Sequence, residues 1–163
     1  MQYTTSIEIA RPRGQVLALI SDPAHAPKWL RGLVVHEPMR GIHGQVGTVS
    51  RVVFQMGGQR MEATETITRL EPQDLLAVPS SVVVHYEREI AAAGVWQAQR
   101  DRFCAAGPQT TLWESESKFR FDGLLMRLAG MFMPGSFRKQ SRQHLFDFKA
   151  FAEHGTVVNP GAR

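Results

Sequence analysis

Residues 94–103 read GVWQAQRDRF. Side chains of a strand alternate between its two faces. Val95, Gln97, Gln99, Asp101 and Phe103 therefore share one face, and Trp96, Ala98, Arg100, Arg102 and Cys104 the other. The two arginines belong in water, which turns the Val95 set inward. That inner face starts and ends apolar but carries three polar groups between. Burying such groups dry and unpaired costs about 1–3 kcal/mol each. The strand must therefore look onto either a hollow or a polar network.

The neighbouring segments repeat the pattern. After the turn AAGPQ, TTLWESESKFRF (110–121) puts Thr111, Trp113, Ser115, Ser117, Phe119 and Phe121 inward, with Glu114, Glu116, Lys118 and Arg120 outward. Upstream, Pro79 interrupts 75–93, and VVVHYEREI (82–90) is the better strand there. In RMEATETITRL (60–70), Met61, Ala63, Glu65 and Ile67 share the apolar face. Gly57-Gly58 signals a hairpin to QVGTVSRVVFQM (45–56), whose inner set is Val46, Thr48, Ser50, Val52, Phe54 and Met56. LVVHEPMR (33–40) is a further strand, and GIHG (41–44) a loop.

The ends differ. QYTTSIEI alternates as a half-buried first strand, and Pro12 opens a short helix bearing Val16, Leu17 and Ile20. Asp22-Pro23 reads as the cap and first turn of a second short helix, which carries Trp29 and Leu30 and ends near Gly32. The C-terminal third is helical. GLLMRLAGMFM (123–133) gives a short helix, Pro134-Gly135 a break or kink, and 136–154 a long helix. Phe137, Ser141, His144, Leu145, Phe148 and Phe151 or Ala152 follow the spacing of a buried stripe. Gly155 ends that helix, leaving 155–163 as a loose tail.

Bulk properties narrow the function classes. The chain has 163 residues, one domain's worth, with 43% hydrophobic and 21% charged residues. The net charge of +4 is scattered, without a basic arm, so no nucleic-acid partner is expected. Cys104 is the only cysteine, which rules out an intrachain disulfide and suits a reducing cytoplasm. The N-terminus lacks the plan of a signal peptide. The most apolar stretch, 123–135, is too short to span a bilayer and holds Arg127, so no stable membrane insertion is expected. No HExxH, CxxC or paired histidines occur at ligand spacing; neither a metal nor a cofactor is expected.

A strand, two short helices, six strands and a long C-terminal helix make an α+β chain whose order resembles the helix-grip fold. IARPRGQVLALISDPAHAPKWLRGL, GQVGTVSRVVFQMGG, GVWQAQRDRF, TTLWESESKFRF and MPGSFRKQSRQHLFDFKAFAE are similar to stretches of the START-like (SRPBCC) superfamily. That superfamily includes polyketide cyclase/dehydrase-type proteins and Bet v 1-like proteins. The resemblance runs from about residue 3 to 154. It implies a single helix-grip domain over 1–154, with a curved antiparallel sheet of six to seven strands around the last helix and a cavity between them. It is weak for function, because the superfamily mixes binders, carriers and enzymes.

With that fold, Gln97, Gln99 and Asp101 would line the cavity with Ser50, Glu65, Ser115, Ser117, Ser141 and His144. Trp29, Phe54, Trp113, Phe121, Leu124, Leu128 and Phe137 would supply apolar walls. The alternative is that the polar groups pair with one another, Glu65 with Gln99 for example, in a satisfied core network. As an enzyme, a cyclase or dehydratase, the protein would use Glu65, Asp101 or His144 as general acid or base. Burial would raise the Glu65 pKa, and an inward Arg88 would lower it again. The first reading is a monomer or homodimer binding a small hydrophobic molecule. A lipid carrier using 123–135 as a lid at a membrane surface is the weaker alternative.

Overall fold

The computed structural model describes residues 1–75, 77–123 and 134–159. Seven strands are present: β1 (Gln2–Ile9), β2 (Leu33–Arg40), β3 (Val49–Met56), β4 (Gln59–Glu71), β5 (Val84–Ala92), β6 (Val95–Gly107) and β7 (Thr110–Phe121). Among the described residues the helices are α1 (Arg13–Ser21), α2 (Ala26–Trp29) and α3 (Pro134–His154). The strands form one curved antiparallel sheet in the order β1-β7-β6-β5-β4-β3-β2. β2 to β7 follow one another as neighbours, and β1 closes onto β7. The two short helices carry the chain from one sheet edge to the other.

α3 lies along the concave face beside β1. Tyr3 Oη and Ser141 Oγ are 2.9 Å apart, Lys149 donates to the Glu8 carbonyl, and Arg11 donates to the carbonyls of Ala152 and Glu153. Leu145, Phe148 and Ala152 press into the core from this helix. On the convex face Arg100 reaches Glu87 and Glu116, and Arg102 reaches Glu114. The arginines that oriented β6 thus lie in water, where such pairs add little stability.

Several boundaries differ from the sequence reading. β3 begins at Val49, not 45, because 41–48 folds as a loop with positive φ at Gly41, Gly44 and Gly47. β5 is 84–92 rather than 82–90. Val82 and Val83 sit outside it, and the buried Arg13 guanidinium holds the segment before it through the carbonyls of Val78, Pro79 and Val82. Asp22 does not cap α2: its Oδ1 accepts the Ala24 N–H in a turn, and the helix starts at Ala26. The long helix includes Pro134 and Gly135 rather than starting at 136. The expected helix over 123–133 lies outside the described residues apart from Gly123. The tail is tied down as far as Asn159, whose side chain accepts the Gly32 N–H and donates to the carbonyls of Pro27 and Leu30.

Candidate functional site

The register aligns the inward residues into a polar belt that crosses the concave face diagonally. Ser115 stands opposite Asp101, Ser117 opposite Gln99, and Gln99 opposite Arg88. Glu65 then pairs with Ser50 one strand further on, and His36 on β2 stands opposite Val52. Apolar residues flank the belt on both sides. On one side Ile9, Val16, Leu17, Trp29, Val84, Phe103, Trp113 and Phe148 make a closed core. On the other, Leu33, Val52 and Ala63 are buried beside the half-buried Phe54, Ile90 and Ala92. A cavity of about 300 Å³ opens between the sheet and α3, lined from this side and also by Leu17, Trp29, Val84, Phe103 and Trp113 of the closed core. The small side chains Ala92, Val95 and Val52 leave the space; Phe119 and Phe137 bound it, and Met56 and Met61 are partly exposed on its rim.

The belt is both a paired network and a cavity wall. The Arg88 guanidinium bridges two carboxylates, donating to Glu65 Oε2 at 3.2 Å and to Asp101 Oδ2 at 3.2 Å. His36 Nε2 lies 3.0 Å from Glu65 Oε1. An ionised carboxylate only accepts, so Nε2 carries the hydrogen. Asp101 is fully buried and also accepts from Trp113 Nε1 at 3.0 Å and from Gln99 Nε2 at 3.3 Å. Gln99 reaches Ser115 Oγ at 3.3 Å, and Gln97 donates to Gln99 Oε1 at 3.5 Å. Arg88 also stacks over the Tyr86 ring, 4.9 Å from its centre. The His43 ring meets His36 edge-on with centres 4.7 Å apart.

Burial alone would raise the Glu65 carboxyl. The His36 hydrogen bond and the Arg88 charge outweigh it and hold Glu65 at about 2. Of the two opposing effects expected, burial and an inward Arg88, the lowering one prevails with the help of His36, and the partners are His36 and Arg88 rather than Gln99. Burial pushes the Tyr86 phenol up to about 12 and lowers the His144 imidazole, so both are neutral near pH 7. Among the described residues, three buried polar atoms have no hydrogen-bond partner: Trp29 Nε1, His36 Nδ1 and Arg88 Nε. All three residues line the cavity.

Of the residues singled out from sequence, Trp29, Phe54, Glu65, Gln97, Gln99, Trp113, Ser115, Phe137, Ser141 and His144 line this cavity. Ser50, Asp101 and Ser117 face inward but are buried behind its surface. Phe121 stands outside the lining, stacked on Phe119. Leu124 and Leu128 lie outside the described residues. Sequence reasoning missed His36, His43 and Tyr86 as site residues and named Arg88 only as a possible neighbour of Glu65. Alternation in VHYEREI places Tyr86 and Arg88 inward with Val84. His36 is hidden by a bulge between Leu33 and Val35, which reverses the side-chain parity of β2.

Among the described residues, no group of three or more His, Cys, Asp or Glu side chains is placed to hold a metal ion. Among them, no helix is long and apolar enough to cross a membrane.

Fold and cavity together define a helix-grip protein. The chain belongs to the polyketide cyclase/dehydrase and lipid transport family, whose model matches residues 1–153. At the level of that family, this supports hydrophobic ligand binding. Solved structures share the fold at low identity. The ZhuI aromatase/cyclase from Streptomyces sp. R1128 is 15% identical with a TM-score of 0.73, covering 94% of this chain and 93% of its own. Ara h 8.0201 is 12% identical with a TM-score of 0.70, covering 93% of this chain and 97% of its own. Truncated norcoclaurine synthase from Thalictrum flavum is 14% identical with a TM-score of 0.66, covering 94% of each chain. No curated protein matches the sequence.

Proposed function

We propose that this protein binds one small, largely apolar molecule in the cavity between the sheet and α3, with the molecule's polar end against the Glu65–Arg88 wall. The observation that carries this reading is the cavity itself. About 300 Å³ is kept open inside the domain, walled mostly by apolar side chains and fixed at one side by a rigid polar belt. That volume lies at the lower end of the range for small-molecule pockets. A core that needed no occupant would gain from filling such space with larger side chains. The three unpartnered polar atoms on lining residues support the same reading, since buried polar groups are ordinarily paired.

The test uses N-phenyl-1-naphthylamine, an uncharged dye that fluoresces in apolar surroundings. The wild-type protein should give a saturable signal with one dye per chain, and Ala92→Phe, which fills the cavity, should abolish it. A signal that never saturates, or one that survives in Ala92→Phe, would refute cavity binding.

The enzyme reading has one observation in its favour. His144, one of the three candidate acid/base residues, lines the cavity as an imidazole that burial keeps neutral. Glu65, held at about 2, is ionised at neutral pH and is no general acid. A cyclase or dehydratase activity on a polyketide-like substrate would then be lost in His144→Asn while dye binding persists. Activity unchanged in that variant would remove His144 from the chemistry.

A further inference from the structure

The charged groups that meet at the polar wall do not balance. Glu65 on β4 and Asp101 on β6 are both buried, and both are bound to the single guanidinium of Arg88 on β5. Asp101 accepts at both oxygens, from Arg88, Gln99 and Trp113, which is the pattern of an ionised carboxylate. The remaining titratable groups facing this point are His36 on β2, His43 in the loop after it, Tyr86 on β5 and His144 on α3. At pH 8, above the ordinary imidazole range and below the phenol's value of about 12, two carboxylates face one guanidinium, an excess of one negative charge inside a chain whose overall charge is +4. The nearby Asp147 on α3 adds nothing, because Arg31 pairs with it in a two-bond fork.

Resting on the ligand-binding reading, we propose that the cavity selects ligands by charge: it takes an apolar molecule bearing a cationic amine or, less tightly, a neutral hydroxyl, and it rejects carboxylates. An ammonium placed at Glu65 supplies the missing counter-charge where the low dielectric makes it count. Glu65 lines the cavity with each oxygen holding one partner, so its further lone pairs remain to accept. Gln97 donates its amide N–H to Gln99, which leaves its carbonyl oxygen as a second acceptor. At that pH the unpartnered Nδ1 of the uncharged His36 ring is a third, because Nε2 holds the hydrogen. The two unpartnered donors bring no charge of their own to offset: one is the indole of Trp29, the other belongs to the guanidinium already counted. The rings of Trp29, Phe119 and Phe137 line the same space and favour a cation over an anion. An anionic fatty acid, which the positive overall charge would seem to invite, meets the wrong sign at the wall.

The test is a matched series on the full chain by isothermal titration calorimetry: 1-naphthylmethylamine, 1-naphthalenemethanol and 1-naphthoate. It is run at pH 8, above the ordinary imidazole range and where the amine is an ammonium. The ammonium should bind at least about tenfold tighter than the carboxylate, with the alcohol between. In Glu65→Gln the ammonium should lose its advantage over the alcohol. The wild-type ranking decides by itself if that variant does not fold. Equal affinities, or a tighter carboxylate, would overturn charge selection while N-phenyl-1-naphthylamine binding left the cavity reading standing. Loss of binding for the whole series and for the dye would overturn both.

Discussion

The two halves of the concave face share strands β5 to β7, yet one is packed by interlocking rings that reach the cavity as part of its wall, while the other is hollow. In the closed half, Trp29, Phe103, Trp113 and Phe148 interlock, with ring centres 5.0–6.4 Å apart. Three of the contacts are edge-on, the geometry that aromatic quadrupoles favour. Each ring comes from a different element, so α2, β6, β7 and α3 are fixed to one another there. Across the polar belt β3, β4, β5 and β6 present Val52, Ala63, Ala92 and Val95 instead. Among the described residues Phe137 from α3 bounds that space at one side, its ring tilted against those of Phe119 and Phe121. Tight packing and open volume are thus separated along the strands: one half holds the fold, the other keeps a volume open, and the belt between them marks their boundary.

The strongest way to break this division is to remove the closed half's centre. Phe148→Ala should cost about 3–5 kcal/mol in urea denaturation, the usual range for an aromatic deleted from a tight core. A loss below about 1 kcal/mol would mean that the closed half can collapse and is not the fold's anchor.

The belt comes next. Glu65 sits at about 2 in the folded protein against an ordinary 4.5. Its folded-state value is depressed, so its stabilisation is complete above about pH 4.5 and is lost as pH falls toward 2. The span corresponds to a loss on the order of 3 kcal/mol over that window. Acid denaturation of Glu65→Gln should show a correspondingly flatter dependence on pH there. The same slope in both proteins would show that the belt does not hold Glu65 as described.

A smaller effect separates the tail's hold on the segment after α2 from the cavity itself. Asn159→Ala removes three hydrogen bonds that tie the tail to the segment 27–32. It should lower stability by about 1 kcal/mol or somewhat more. Amide exchange at Gly32 should quicken, and an unchanged rate there would show that the tail is not a clamp.

The smallest effect on stability is expected in the open half. Ala92→Phe adds volume where space already exists, so stability should stay within about 1 kcal/mol of wild type, unlike overpacking in a filled core. A large destabilisation would mean that the open half is as tightly packed as the closed one.

How much of this was legible from sequence follows the same division. β6 and β7 alternate without interruption, so Asp101, Trp113, Ser115 and Ser117 could be turned inward from their spacing alone, and Glu65 likewise on β4. Their partners could not. His36 faces the cavity only because β2 bulges after Leu33, and a bulge leaves no mark in a run such as LVVHEPMR. His43 reaches His36 from a loop whose path depends on glycines with positive φ, Gly41 among them, where an added Cβ would come within 3.0 Å of Thr48. The sign of the Glu65 shift depended on those partners: burial argues for a raised value, and only the positions of His36 and Arg88 reverse it. Pairing and cavity also proved not to be alternatives, since one set of side chains makes the network and lines the space.

The division itself is tested most directly by a ¹H–¹⁵N shift map of the protein titrated with N-phenyl-1-naphthylamine. Binding in the open half predicts that the amides of Val52, Ala92, Val95, Phe119 and Phe137 move together with one affinity. Those of Ile9, Val16 and Phe148, on the far side of the closed core, should stay in place. Shifts centred on the closed core, or scattered over the convex face with the open half silent, would contradict the account.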